Sequence, residues 1–292
     1  MSKNRKKRRF HRRPINVLAS ALTTCGLYCG IASIFYAVSA LLAQSDMFTN
    51  PPAILNDAMD MRKFSATLIF FAMIFDMLDG TVAKLTHTTS EFGKQLDSLC
   101  DLVSFGVAPG VLVFTAFLEK SLTEGGVTAP LGSGIAVIFV MCGALRLARY
   151  NVYQATRRDY FTGLPIPAAG VTIASFVLFR TYFELGDLAL WILGPMTLAL
   201  SYLMVSTLRY PKDKMKSLVL APGNALQLLA LIVLAIAAFD YASARSPAIV
   251  LFPASIMYVM VGIIDFIVGV VRKRPPATEP EQPASPAEEH HG

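Results

Sequence analysis

Charge is what this sequence has least of. Only 16% of its 292 residues are Asp, Glu, Lys or Arg, while 54% are hydrophobic; soluble globular domains carry about 25% charged residues. So few charges cannot cover a water-facing surface, which excludes a soluble enzyme of ordinary composition. The apolar richness excludes disorder for most of the chain. Glycine (19) and proline (17) are too few for a collagenous or low-complexity protein. Cysteine is scarce as well. The four present (Cys25, Cys29, Cys100, Cys142) all lie in apolar stretches without a CxxC pair, which leaves no support for a disulfide framework or a zinc site. They read as small packing residues. With a mean hydropathy of +0.52, these absences leave an integral membrane protein.

What the chain does have is long apolar runs. A membrane-crossing helix needs roughly 20 apolar residues, and about eight stretches qualify: 15–44, 64–85, 96–118, 129–150, 164–183, 188–208, 218–239 and 248–271. Lipid offers no partner to free backbone groups, so each run predicts a helix. The expected fold is all-α, a polytopic membrane protein with about eight transmembrane helices. Six to eight is the range, because the first run is long for one span and the fifth and sixth are joined by few polar residues.

Lysine and arginine orient the spans. With eight spans, 21 of the 26 Lys and Arg fall on the side shared by both termini, eight of them before Pro14. Arg62, Lys63, Lys120, Arg180 and Arg245 fall on the other side. The positive-inside rule then places both termini in the cytoplasm. The N-terminal segment, 1–14, reads as an orientation signal that also attracts anionic membrane lipid; no nucleic-acid partner is expected. The apolar region behind it is about twice the length found in cleavable signal peptides, which predicts an uncleaved anchor. Residues 272–292, rich in Pro and Glu, read as a disordered cytoplasmic tail. The transmembrane domain is 15–271.

Ionisable residues inside spans are costly and mark function by default. Here they gather around the end of the second run and the start of the third, as Asp76, Asp79, Asp97 and Asp101. At 100° per residue Asp76 and Asp79 lie about 60° apart on one helix, with Gly80 and Ala83 near the same direction and Lys84 about 80° away. Asp97 and Asp101 share a face at i, i+4. The short link between the two runs makes the helices antiparallel neighbours, so the pairs converge near the cytoplasmic boundary. Clustered carboxylates repel unless neutralised. Convergent hard oxygens suit Mg²⁺ or Mn²⁺, and this many suit two ions. Gly80, Ala83 and Gly93 leave room for a bulky ligand, and Lys84 offers phosphate a point charge. The bland reading is solvated helix ends and small packing residues; it does not account for all four aspartates with interleaved glycines.

The pattern Asp76-x2-Asp79-Gly80-x2-Ala83-Lys84-x8-Gly93-x3-Asp97-x3-Asp101 resembles the signature of the CDP-alcohol phosphotransferases, DxxDGxxARx8GxxxDxxxD, at every spacing. It departs only at Lys84, where the family has arginine and its bidentate fork. The resemblance implies a helical membrane core of six or more spans, here with two added, and an acceptor hydroxyl that attacks the β-phosphorus of a CDP-linked alcohol and releases CMP. Carried over by position, Asp76, Asp79, Asp97 and Asp101 would hold a two-metal centre, with Asp101 also the general base. Asp76, Gly80, Ala83, Lys84 and Gly93 would hold the nucleotide and its phosphates. Thr23 matches a threonine that related enzymes place near the nucleotide, although Ala19-Ser20 replaces a neighbouring Pro-Asn. Two divalent ions polarising a diphosphate fit this chemistry. The resemblance also implies a homodimer in a bacterial inner (cytoplasmic) membrane, with the active site on the cytoplasmic side.

Three further segments bear on the acceptor. DLVSFGVAP (101–109), RLARYN (146–151) and FTGLPIPAA (161–169) resemble, in this order, the membrane-spanning phosphatidylserine synthase branch. That implies CDP-diacylglycerol as donor and L-serine as acceptor. Glycerol 3-phosphate and inositol phosphate are the alternatives within the family. On physical grounds Arg146 and Arg149 face a diphosphate, a substrate carboxylate or lipid headgroups, or simply snorkel. Ser104 and Asn151 contact substrate or cap helices, and the prolines of 164–167 suit a helix start. A transporter would spread carboxylates over several spans or show half-repeats, and neither is seen. A lipid-binding scaffold leaves the spacing unexplained.

Overall fold

Helix length follows apolar length along this chain. The computed structural model describes residues 17–45, 51–86, 91–124, 128–154, 160–183, 185–206, 209–211 and 248–271. The elements in order are α1 (Val17–Ser45), α2 (Pro51–Leu85), α3 (Glu91–Asp101), a π-helical turn (Leu102–Val107), α4 (Ala108–Glu124), α5 (Thr128–Arg149) and a second π-helical turn (Tyr150–Gln154). They are followed by β1 (Tyr160–Thr162), α6 (Ile166–Phe183), α7 (Leu188–Val205), β2 (Arg209–Pro211) and α8 (Ala248–Val271).

Six helical stretches among the described residues are long and apolar enough to cross a membrane: Leu18–Ala43, Ala58–Ala83, Glu91–Leu122, Thr128–Val152, Ile166–Phe183 and Leu188–Val205. The chain is therefore a predominantly helical integral membrane protein, with six such stretches among the described residues against the eight expected. The expected stretch 218–239 lies outside the described residues, as do 1–16 and 272–292. The stretch 248–271 is a helix that includes the apolar segment Val250–Val261. Large apolar side chains such as Tyr28, Phe35, Phe71, Trp191 and Tyr202 point outward, as a lipid-facing surface requires.

Two features depart from a simple row of helices. The antiparallel ribbon of β1 and β2, with Phe161 opposite Tyr210, ties the segment after α5 to the segment after α7. It is too short and polar to register in a hydropathy reading. The third span is interrupted. Pro109 has no N–H to offer the carbonyl of residue 105, and the Ala108 N–H bonds instead to the Val103 carbonyl. The backbone widens there into a π turn.

That wide turn is the hub of the packing. Gly30 of α1 lies against one side, where a Cβ would sit 2.7 Å from Ser104 Cα. Gly170 of α6 lies against the other, where a Cβ would sit 2.7 Å from the Phe105 carbonyl oxygen. Glycine at both places lets α1 and α6 close on the turn. Phe105 is fully buried, together with Ile166, Ile173 and Phe176 of α6. Every residue from Ala169 to Val177 is buried, the pattern of a helix surrounded by protein.

Polar ties reinforce the frame. Ser33 and Ser65 hydroxyls lie 3.0 Å apart across α1 and α2, and Ser65 also donates to the Ser33 carbonyl at 2.7 Å. Ser175 and Ser255 join α6 to α8 at 3.1 Å. About 21 Å along α2 from Asp76, at 1.5 Å per residue, Arg62 Nη1 pairs with Glu119 of α4 at 2.6 Å. Arg180 of α6 reaches the same carboxylate at 4.0 Å, and Lys120 pairs with Asp187 at 2.6 Å. Four of the five basic residues expected opposite the termini lie within the described residues, and three of them meet in this cluster.

Candidate active site

The acidic cluster forms where α2 ends and α3 begins. α2 runs to Leu85 and closes with Thr86 N–H on the Val82 carbonyl at 2.9 Å. α3 starts at Glu91, five residues before the apolar run, because its first turns are polar. This hairpin sets Asp76 and Asp79 of α2 against Asp97 and Asp101 of α3.

Asp76, Asp97 and Asp101 each offer a carboxylate oxygen, and the three atoms lie within 4.8 Å of one another. All three residues are half-buried. Asp79 stands outside that group and is only 6% exposed. Its Oδ2 accepts a hydrogen bond from the Thr23 hydroxyl at 2.5 Å, and the Ala19 carbonyl lies 3.0 Å from the same hydroxyl. Thr23 and Asp79 therefore join α1 to the α2–α3 hairpin. All four aspartates line one cleft with Thr23, Gly26, Ala72, Cys100, Ser104 and Phe105. Three like charges so close repel. Hard oxygens at this separation fit a divalent cation, which relieves the repulsion and takes carboxylate ligands readily. A carboxylate cluster suited to a divalent ion is thus present among the described residues.

The other expected residues divide into groups. Gly80 is half-buried beside Asp79, and nothing lies within 4 Å of where its Cβ would be, so space is open at that point. Ala83 and Gly93 are half-buried. Lys84 lies in α2, and its side chain lies outside the description. Ser104, buried in the π turn, donates to the Gly26 carbonyl at 3.2 Å, which seals α1 against the cleft. Asn151 donates from Nδ2 to Ser98 Oγ at 3.0 Å, touching α3 between Asp97 and Asp101.

Arg146 and Arg149 separate. Arg149 turns to the end of α7: Nη1 donates to the Val205 carbonyl at 2.8 Å, and Nη2 to those of Met204 and Ser206 at 3.2 and 3.1 Å. It caps the helix, where a cation is favoured by the carbonyl ends. Gly163, at φ +79°, passes directly beneath, and Leu164 N–H bonds to the Leu203 carbonyl at 3.0 Å. The segments 146–151 and 161–169 thus meet in a clip around α7. Arg146 is 8% exposed and sits with its Cζ 5.6 Å from the Tyr150 ring centre. It lies within electrostatic reach of Asp101.

Cys100 and Tyr258 were not expected near the site. Cys100 follows Asp97 by three residues, so helical spacing alone would have turned it toward the cleft. Tyr258 of α8 lies within electrostatic reach of Arg146; 112 residues separate them in the chain, and no local pattern links them.

Comparison with known proteins agrees with this geometry. Residues 16–205 match the family CDP-alcohol phosphatidyltransferase. A Helicobacter pylori protein named CDP-diacylglycerol--serine O-phosphatidyltransferase is 35% identical over 204 residues, covering 69% of this chain and 74% of its own. An archaetidylserine synthase from Methanothermobacter thermautotrophicus is 36% identical over 180 residues, 61% of this chain and 71% of its own. A Mycobacterium bovis protein with the same name as the first is 30% identical over 236 residues, 78% and 72% of the two chains.

Proposed function

The chain belongs to the CDP-alcohol phosphatidyltransferase family, and we propose that it transfers the phosphatidyl group of CDP-diacylglycerol to the hydroxyl of L-serine, giving phosphatidylserine and CMP. The observation that carries the reading is the convergence of Asp76, Asp97 and Asp101 within 4.8 Å in a chain whose relatives are named for serine transfer.

Asp76, Asp97 and Asp101 would hold Mg²⁺ or Mn²⁺, with Asp79 completing the site for a second ion. A divalent ion held there would supply Lewis-acid polarisation of the diphosphate and charge stabilisation for the attacking and leaving oxygens. Asp101 accepts the serine hydroxyl proton on a carboxylate oxygen. The serine oxygen then bonds to the β-phosphorus, the bridging P–O bond breaks, and CMP leaves with that electron pair. Thr23 holds Asp79 in its rotamer, and Gly80 leaves space for the nucleotide against the α2 backbone. Ala83 and Gly93 leave room for the nucleotide and its phosphates, and Lys84 supplies them with a positive charge. Ser104 and Asn151 fix the walls of the site.

Transmembrane domain 15–271 is the catalytic unit, flanked by a basic N-terminal segment and a C-terminal tail. It works as a homodimer among membrane lipid in a bacterial inner membrane, with the site and both termini on the cytoplasmic side. A water-soluble nucleotide then meets a lipid tail without crossing the bilayer. The test is incorporation of labelled serine into lipid by the purified protein with CDP-diacylglycerol and Mg²⁺ or Mn²⁺. Serine label in phosphatidylserine is expected; label that stays in the aqueous phase while another acceptor is consumed would overturn the acceptor assignment.

A further inference from the structure

The two helices that carry the aspartates pack chiefly against α1, and among the described residues they touch each other far less. α1 is therefore the element that both sides of the acidic cleft share. Its Thr23 hydroxyl donates to Asp79 Oδ2 at 2.5 Å. Three residues on, the Gly26 carbonyl accepts from the Ser104 hydroxyl at 3.2 Å, within the π turn that follows Asp101. That spacing puts Thr23 and Gly26 on one face of α1, and both line the cleft with Ser104 and the four aspartates. Gly30 completes the seat: a Cβ there would fall 2.5 Å from Ser104 Oγ, so only glycine lets α1 close on the turn. Ser104 is 2% exposed, and a hydroxyl so buried is costly to leave unmet; α1 is where it is satisfied.

We propose that α1 is the spacer of the acidic centre and that Ser104 is a positioning residue. The Thr23–Asp79 and Ser104–Gly26 hydrogen bonds together hold Asp79 at the distance from Asp101 that a second ion requires. The inference rests on the two-ion reading above and deepens it. Paired ions sit about 3.5–4 Å apart, and a site of this kind tolerates about 0.5 Å of misplacement. Asp76, Asp97 and Asp101 converge within 4.8 Å, so the first ion has its ligands without α1. Asp79 stands outside that group, and α1 is what ties it to the turn behind Asp101. The Ser104 bond carries no charge and ends on a backbone carbonyl, so its effect reaches the ions only through the placing of α1. Loosening it should therefore weaken the second ion and spare the first.

The experiment counts bound Mn²⁺ by electron paramagnetic resonance in the full chain in detergent, with CDP-diacylglycerol present and no acceptor. Wild type, Ser104→Ala, Gly30→Ala and Ser65→Ala are titrated, and thermal unfolding is recorded for each. Ser65→Ala removes another buried tie between α1 and α2, about 16 Å along α2 from Asp76 at 1.5 Å per residue, and serves as the control for lost stability alone. Wild type should bind two ions. Ser104→Ala should hold one as wild type does and bind the other about 3- to 10-fold more weakly, the range of a neutral hydrogen bond. Gly30→Ala, which pushes α1 off the turn, should act in the same direction. Ser65→Ala should unfold at lower temperature with both affinities as in wild type. If Ser104→Ala weakens both ions equally or neither, or if Ser65→Ala weakens the second ion as much, α1 is not the spacer, while the two-ion reading stands. A wild-type protein that binds one ion only would overturn that reading and the spacer with it.

Discussion

The aspartates of the α2–α3 hairpin differ in what surrounds them, and the roles proposed for them follow that difference. Asp76, Asp97 and Asp101 face one another across a few ångströms, whereas Asp79 is anchored by Thr23. Asp101→Asn keeps the shape and removes the proton acceptor, so kcat should fall by about 10²- to 10⁴-fold, read by CMP release from protein that still elutes as a folded species in detergent. Thr23→Val removes a hydrogen bond to a charged group and should lower kcat/KM for CDP-diacylglycerol by about 10-fold. Retained activity in either variant would contradict these roles. All four aspartates were legible in the sequence, because carboxylates in an apolar background stand out and helical spacing fixes their direction. The separation of Asp79 from the other three was not, because it depends on a threonine 56 residues away. The place of Arg149 was not legible for a related reason: spacing puts it beside Arg146, but only the folded chain brings the α7 carbonyls to it.

Among the elements, the π turn at Leu102–Val107 has the widest consequences. It follows Asp101 directly, so it decides how that carboxylate is presented to the cluster while α4 continues in a new phase. Its fit depends on Gly30 and Gly170. Gly170→Val drives a branched side chain into the Phe105 carbonyl and should destabilise the protein by about 1–3 kcal/mol, measured by thermal unfolding in detergent, with activity lost at lower temperature than in wild type. An unchanged transition would mean that α6 does not bear on the turn. Hydropathy cannot reveal such a turn, since its residues are as apolar as those of the helices on either side; only Pro109 hints that the ladder must break. The β1–β2 ribbon was hidden because three-residue strands carry no period. The described helices were legible in their apolar parts, but α2 starts 13 residues and α3 five residues before their apolar runs, because polar residues can extend a helix beyond the lipid.

At the scale of the whole molecule, charge is sorted to two ends. The carboxylates, Lys94, Arg146 and Arg149 occupy one, and the Arg62–Glu119–Arg180 cluster with Lys120 and Asp187 the other. On the positive-inside rule we propose that the carboxylate end faces the cytoplasm. In intact cells a membrane-impermeant maleimide should therefore label Asp187→Cys and not Glu91→Cys; the reverse would invert the orientation. Chelation should abolish turnover, and Mg²⁺ or Mn²⁺ should restore it, since the carboxylate cluster is poised for a hard cation. The central claim is that this end of the molecule joins a phosphatidyl group to serine. It is tested most directly by CMP release from purified protein, CDP-diacylglycerol and divalent metal with one acceptor at a time. Serine should give sustained release, and glycerol 3-phosphate and inositol phosphate none. Release with either of those and none with serine would contradict the account.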